Sequence, residues 1–503
     1  MKRKLYLPLF LAIMLFPHLL LGQFAQQGLK IVGSGGDANS FQGGSVAISS
    51  DGNTAVTGGI YDNSQQGAIW IFTRSGGVWS QQGTKLSGTG GAGDFVYQGY
   101  SVAISSDGNT VIEGGWRDNT DTGAVWIFTR NAGAWTQQGS KLVGSGATGG
   151  QILQGTSVAI SADGNIALVG GSGDNGTGAV WVFTRTGDVW TQQGSKLTGT
   201  GGVGQTNQGT SLAISADGNT FVTGGMMDHG GLGAVWVFTR SGNNWVQQGT
   251  KLVGDESIDA SAQGSSVAIS ADGNTIITGG PGDFLNEGAA WVFERSGGIW
   301  AQQGLKLYAE GSTSPILVGK SVAITPDGNT ALVSSPGANG SVGKVWVFNR
   351  SLGLWTKQET ALVGTGATGA ARQGWSVAIS SEGTAIEGGP WDTEGLGTFW
   401  AFRSPNIGIE QLPGMASKAL LGQNYPNPFS ISTKIRFSTV KSSRTKVTVY
   451  DLAGREVTAL LDGQLAPGSH EVDFDGSNLA AGSYFCKLES DGTVETRKMM
   501  LLK

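Results

Sequence analysis

The chain alternates short runs rich in Val, Ile, Thr, Phe and Trp with clusters of Gly, Asp, Asn and Ser. The first set of runs is Ser45–Ser49, Thr54–Gly58, Ala68–Arg74 and Trp79–Leu86. β-branched and aromatic residues in runs this short, bounded by turn formers, predict strands. Asp51-Gly52 and Ser75-Gly76-Gly77 fall between them, where glycine tolerates the positive φ of a primed hairpin turn. No stretch carries apolar residues at helical spacing, so almost no helix is expected.

The set recurs. Ser-Val-Ala-Ile-Ser followed by Asp-Gly-Asn, in near-copy, starts at Ser45, Ser101, Ser157, Ser211, Ser266, Ser321 and Ser376, at intervals of 56, 56, 54, 55, 55 and 55 residues. A second signature, Trp-x-Phe-x-Arg or a close relative, keeps step at Trp70, Trp126, Trp181, Trp236, Trp291, Trp346 and Trp400. Four antiparallel strands per unit, seven times over, predict an all-β fold, a seven-bladed β-propeller over residues 23–404. Six units are followed by Trp-x-Gln-Gln-Gly or a relative, from Trp79 to Trp355, and the seventh is not. The missing strand lies at the other end, where Phe24–Lys30 aligns with Trp79–Lys85. The N-terminal strand is therefore expected to complete the last blade and remove the exposed sheet edges. A straight β-solenoid is the alternative, and it leaves this overhang unexplained.

Charge narrows the partners. Residues 23–404 hold 18 basic against 27 acidic residues, a net of −9. An acidic propeller argues against nucleic acid, whose phosphates need a positive surface. The one basic cluster, Lys2-Arg3-Lys4, precedes apolar Leu5–Leu21 and Gly22, the order of a secretory signal peptide over residues 1–22. Pro8, Pro17 and His18 interrupt that stretch, and nothing else could cross a membrane in the mature chain. Cys486 is the single cysteine, so no intrachain disulfide can form.

Periodicity stops at Arg403, and residues 405–422 read as a linker with Pro405, Gly408, Pro413 and Gly414. Residues 423–503 return to short strands and predict a small β-sandwich. Four motifs stand in register: Asn424-Tyr425-Pro426-Asn427-Pro428-Phe429, the turn from Asp451 through Gly454, Arg455 and Glu456, Gly482-Ser483-Tyr484, and the ending from Lys498. In that order they resemble the C-terminal sorting domain of type IX secretion cargo in Bacteroidetes and their relatives. The resemblance implies Sec export, passage through the outer membrane by the type IX machinery, and release or surface attachment.

The repeats resemble the FG-GAP type of propeller repeat, through Gln-Gly-x-Ser-Val-Ala-Ile-Ser, Gly-Gly-Pro-x-Asp and Gly-Ala-Val-Trp-Val-Phe-Thr-Arg. Calcium-binding members of that family carry an Asp-x-Asp-x-Asp-Gly loop. Only Ser-x-Asp-Gly-Asn stands here, with one carboxylate each at Asp51, Asp107, Asp163, Asp217, Asp272 and Asp327. Calcium takes six to eight oxygens, so plain hairpin turns are expected, with no metal and no cofactor.

Divergence between repeats gathers in the second-to-third loops and the inter-blade crossings, which a four-stranded meander puts on one face. Those loops carry Tyr61, Phe95, Tyr97, Trp116, Phe284 and Trp391 beside Asp62, Asp118, Asp228, Asp283 and Asp392. Aromatic faces with neighbouring acids suit a sugar ring or a peptide, and variable loops on a repeated frame commonly carry binding. Each aromatic also has a packing explanation, and each aspartate an Asx-turn one. With three histidines, two of them outside the propeller, a His-dependent triad has little to draw on. Carboxylate pairs such as Asp118/Asp121 or Glu256/Asp259 keep a polysaccharide lyase or glycosidase as the rival. The expectation is a secreted, monomeric, non-enzymatic module that binds an extracellular glycan or protein.

Overall fold

The computed structural model describes residues 24–309, 316–351, 353–404, 420–421, 424, 429–439, 441–466, 468–490 and 492–502. The expected leader, the 405–419 part of the linker and Pro426, Asn427 and Pro428 lie outside these residues. Two compact units divide the chain, residues 1–405 and 406–503.

In the first unit, seven four-stranded antiparallel sheets follow one another. Blade one runs Ser45–Ile48, Thr54–Gly59, Ala68–Ser75 and Val78–Gln81, from the inside outward. Blade seven takes three strands from Ser376–Arg403 and its outermost from the N-terminus, where Ala25 pairs with Arg403 and Gln26 with Phe402. Innermost strands touch in sequence around the ring, and the strand of blade seven touches that of blade one. The same hydroxyl repeats at six of the seven boundaries, and in blade six the Ser321 hydroxyl instead accepts the Val377 N–H at 3.1 Å. Ser45 donates to the Gly99 carbonyl at 2.8 Å, and Ser376 closes the circle on the Gly43 carbonyl at 2.9 Å.

Apolar residues of adjacent blades share each core. Val56, Ile69 and Ile71 of blade one pack with Val111, Trp126 and Phe128 of blade two. Trp70, Trp126, Trp181, Trp236, Trp291 and Trp400 are fully buried. Each donates its indole N–H to a carbonyl of the crossing, as Trp126 does to Thr89 at 2.8 Å. The indole lies flat on a glycine: a Cβ at Gly88 would stand 2.1 Å from Trp126 Cδ1.

Blade six departs from this frame. Ala309 occupies the glycine position, and Trp346 is only half buried, its Nε1 without a partner among the described residues and Lys344 and Lys357 each 4.5 Å from its ring. The methyl group fills the space in which the other tryptophans lie.

The two faces of the ring differ. On one, hairpins bond to hairpins, as Ser50 N–H does to Ser106 and Ser381 N–H to Ser50, at 3.1 and 3.0 Å. The hairpin aspartates serve the turn: Asp51 accepts from the Ser49 hydroxyl at 2.5 Å and from Asn53 at 2.9 and 3.1 Å. Burial raises the Asp51 pKa, but the bonds from Ser49 and Asn53 outweigh it and hold the carboxyl below its ordinary value. On the other face the second-to-third loops form single left-handed turns, as at Asn63, Ser64 and Gln65, with φ of 51°, 54° and 70°.

The second unit contains a three-stranded sheet (Leu420–Leu421, Ser432–Thr439, Gly468–Asp475) and a four-stranded one (Glu456–Leu465, Ser443–Tyr450, Gly482–Ser490, Thr493–Leu501). Ile435, Phe437 and Phe474 from the first share one core with Val447, Val449, Cys486, Leu488 and Met499 from the second.

Candidate functional site

Each crossing ends in a residue that precedes Gln-Gly (Val318-Gly319 in blade six) and takes a left-handed backbone in every repeat: Phe41, Tyr97, Leu153, Asn207, Ala262, Leu317 and Arg372. The conformation belongs to the architecture, since all seven repeats adopt it. Its effect is to bring this side chain against the second-to-third loop of the preceding blade, where Phe41 N–H bonds to Gly395 at 2.9 Å and Tyr97 N–H to Gln65 at 3.2 Å. What varies is the side chain so presented.

On blades seven, one and two that side chain joins a chain of aromatic rings. Trp375 meets Trp391 at 4.5 Å between centroids, Trp391 meets Phe41 at 4.6 Å, and Phe41 meets Tyr61 at 4.9 Å. Tyr61 continues to Tyr97 at 5.8 Å, Tyr97 to Trp116 at 5.6 Å, and Trp116 to Tyr100 at 5.8 Å. Phe95 leans on Tyr97 at 6.4 Å. The edge-to-face geometry that dominates is the one ring quadrupoles favour.

The two ends, Trp375 and Tyr100, stand at the start of innermost strands, and the equivalent position between them, in blade one, is Gly44. The rings thus trace a horseshoe-like arc over three adjacent blades, with a residue without a side chain at the equivalent position of the middle one. Burial, followed by the nearby Tyr61 phenol, raises the pKa of the Tyr100 hydroxyl.

Cations line the same rings. The Arg117 guanidinium lies 5.4 to 5.9 Å from Trp116, Tyr97 and Phe95, and bonds Asp121 at 3.0 Å. Arg372 lies 4.3 Å over Trp391, and Lys320 Nζ 4.6 Å over Trp375. Burial lowers the Lys320 pKa.

Tyr61, Phe95, Tyr97, Trp116 and Trp391 are therefore brought together. Phe284 is not: it stands exposed on blade five, without a ring partner among the described residues. The aspartates also depart from expectation. Asp62, Asp118, Asp228, Asp283 and Asp392 are fully buried, beneath the loops rather than on their surface. One oxygen of each accepts a crossing N–H, as from Ala92 to Asp118 at 2.7 Å, and the other holds the lysine four residues beyond the fourth strand, as Lys85 lies beyond Gln81. The pairs are Asp62–Lys85, Asp118–Lys141, Asp174–Lys196, Asp228–Lys251, Asp283–Lys306 and Asp392–Lys30. A charge taken out of water needs a partner, and these carboxylates have theirs within the blade. They fasten the crossing to the loop. Asp118 and Asp121, bound to Lys141 and Arg117, are not a free carboxylate pair. Among the described residues no three His, Cys, Asp or Glu side chains gather to hold a metal ion.

Phe41, Tyr100, Trp375 and Lys320 escaped the sequence reading because they sit inside the most constant motif, Gln-Gly-x-Ser and the residue before it. The usable signal was the x position, which reads Gly44, Tyr100, Thr156, Thr210, Ser265, Lys320 and Trp375 inside an otherwise near-constant motif.

In the tail, Asn424 is buried and donates to Thr433 at 3.0 Å, and Phe429 packs edge-on against Phe474 at 5.8 Å. Gly454, with φ of 78°, closes the turn in which Asp451 accepts from Arg455, and Glu456 stands 3.6 Å from Lys446. Gly482 opens a strand, the Tyr484 hydroxyl reaches the Ala480 carbonyl at 2.8 Å, and Lys498 is exposed on the last strand.

Residues 423–502 match the family described as the Secretion system C-terminal sorting domain. The chain thus carries the tail of type IX secretion cargo, and its destination is the cell surface or the extracellular space. No helix among the described residues is long and apolar enough to cross a membrane. No curated protein matches the chain. Among solved structures it is similar to a putative 6-phosphogluconolactonase from Bacteroides uniformis ATCC 8492, with 16% identity over 64% of this chain and 85% of that one, at a TM-score of 0.46. It is also similar to Kuenenia stuttgartiensis hydrazine synthase, with 14% identity over 71% of this chain and 94% of that one, at a TM-score of 0.44. Likenesses this distant carry no argument about activity.

Proposed function

We propose that the propeller is a monomeric binding or adhesion module, displayed or released outside the cell, that grips a glycan or protein on its loop face. The observation that supports this most directly is the aromatic horseshoe, confined to three adjacent blades of a seven-fold frame. Large rigid rings offer contact area at small entropic cost, and they cluster where binding energy concentrates. No cofactor enters this reading, and calcium would need ligands beyond the hairpin aspartates, which are bonded within their own turns.

The rival is a polysaccharide lyase or glycosidase, which needs titratable groups converging on one bond. The test incubates the full chain with a polysaccharide and protein panel, and reads retention alongside reducing ends and unsaturated products. Retention without turnover, lost in Trp391→Ala and Tyr97→Ala, is expected. Product formation, or retention indifferent to both substitutions, overturns the reading.

A further inference from the structure

Lys320 and Arg372 have no counterpart elsewhere in the frame. At the Lys320 position the other blades carry Gly44, Tyr100, Thr156, Thr210, Ser265 and Trp375. At the Arg372 position they carry Phe41, Tyr97, Leu153, Asn207, Ala262 and Leu317. Both cations therefore enter at one end of the horseshoe, against the Trp375–Trp391 pair, in a propeller that is acidic overall. Arg372 lies 5.9 Å from Trp375 and 4.3 Å from Trp391, and Lys320 lies 4.6 Å from Trp375.

Unlike the lysines just beyond the fourth strands, neither has a carboxylate at ion-pair distance among the described residues. Both are half buried. A cation partly withdrawn from water and left unpaired is unfavourable, and the ring faces offset only part of that penalty. An anion arriving at this end would supply the missing counter-charge.

We infer that the end of the horseshoe formed by Trp375, Trp391, Lys320 and Arg372 is a subsite for a uronic acid residue of an acidic polysaccharide. The sugar ring lies against an indole, and the carboxylate meets the ammonium and the planar guanidinium, which matches a carboxylate in two parallel bonds. Arg117, at the other end, is already paired with Asp121, so the anion preference belongs to the blade six–seven end. This rests on the binding reading above and adds the chemistry of the ligand.

The test is affinity electrophoresis of the full chain through gels containing polygalacturonate, the same polymer with its carboxyl groups reduced to alcohols, or dextran sulfate. Retardation by polygalacturonate at least about tenfold tighter than by the reduced polymer is expected, with the loss of a charge-assisted bond of that order in Lys320→Thr and in Arg372→Leu. Both replacements are residues that neighbouring repeats carry at these positions, and an unchanged thermal midpoint confirms that the variants fold. Equal retardation by the reduced polymer overturns the acidic subsite and leaves the binding reading standing. Stronger binding to dextran sulfate, insensitive to both substitutions, also overturns it, since bulk charge would then suffice. Binding to none of the three, with binding to a protein of the panel, overturns it as well. Retention of nothing at all overturns both readings.

Discussion

The buried aspartate–lysine pair is repeated six times and absent once, which makes its energetics testable within one molecule. In blade six, Ala338 replaces the aspartate and Ala361 stands at the lysine position. Both members are missing together. The physical reason lies in the asymmetry between a pair and its halves. Asp118 is 1% exposed in its side chain and Lys141 is 21% exposed. Removing Lys141 strands a carboxylate away from water, with the Ala92 N–H as its remaining hydrogen-bond donor among the described residues, at 2.7 Å. Breaking a buried pair from one side costs roughly 3–5 kcal/mol, and the intact Ala92 bond places Lys141→Ala near ~3 kcal/mol.

Asp118→Ala leaves a lysine that can turn to water and one unmet N–H, a cost of about 1–3 kcal/mol. The double variant should cost no more than Asp118→Ala alone, and less than Lys141→Ala. Unfolding entropy of about 2.1 cal/mol/K per residue, for a domain this large, makes 1 kcal/mol worth roughly 1 °C in Tm. The three variants should therefore lie about 3 °C, 1–3 °C and 1–3 °C below the parent in a calorimetric scan. Strictly additive losses in the double variant would refute the reasoning, because the coupling between the two charges is its whole content.

Glu113 and Glu387 occupy a strand position held elsewhere by Thr57, Val169, Thr223, Thr278 and Val333. Their carboxyls are fully buried and without a hydrogen-bond partner among the described residues, and the Gly88 and Gly364 amides donate to Gln98 and Gln373 at 2.5 and 2.6 Å. Burial pushes both pKa values well above the ordinary carboxyl range. Stability is then whole below the unfolded pKa and falls as pH rises from there toward the folded value, by about 1.4 kcal/mol per pH unit for each group. Glu113→Thr should raise Tm, and by more at pH 8 than at pH 4; a gain independent of pH would count against protonated burial. Gly88→Ala should cost about 1–3 kcal/mol by driving its methyl group into Trp126. Trp126 emission should shift in that variant, and an unmoved spectrum at unchanged Tm would mean that the indole does not depend on the glycine. Cys486 is 1% exposed and burial pushes its thiol pKa to about 12. Alkylation of the native chain at pH 8 should be negligible until denaturant opens the tail domain, and rapid labelling in native buffer would contradict that burial.

Much of the fold was legible because a propeller repeats its physics. The Ser-Val-Ala-Ile and Trp-x-Phe signatures mark strands that face the same neighbours seven times, so period and turn chemistry specify the blade. The overhang at Phe24–Lys30 showed which strand closes the ring, and the pairing of Ala25 with Arg403 realises it. The site was half legible. Tyr61, Tyr97, Trp116 and Trp391 stood out because they break the repeat in its loops, whereas Phe41, Tyr100 and Trp375 were hidden inside a motif read as frame.

The aspartates were misplaced for a different reason. A loop position was taken as an exposed one, although Asp62 and Lys85 lie 23 residues apart and meet only when the crossing folds over the blade. Sequence periodicity determined the number of blades and their order, since strand pairing and hairpin geometry within a blade are local, and it named the closing strand because Phe24–Lys30 repeats the unit that the last blade lacks. Tertiary structure decided which carboxylates are neutralised and which rings touch. Both depend on distances between segments far apart in the chain, which no local preference encodes.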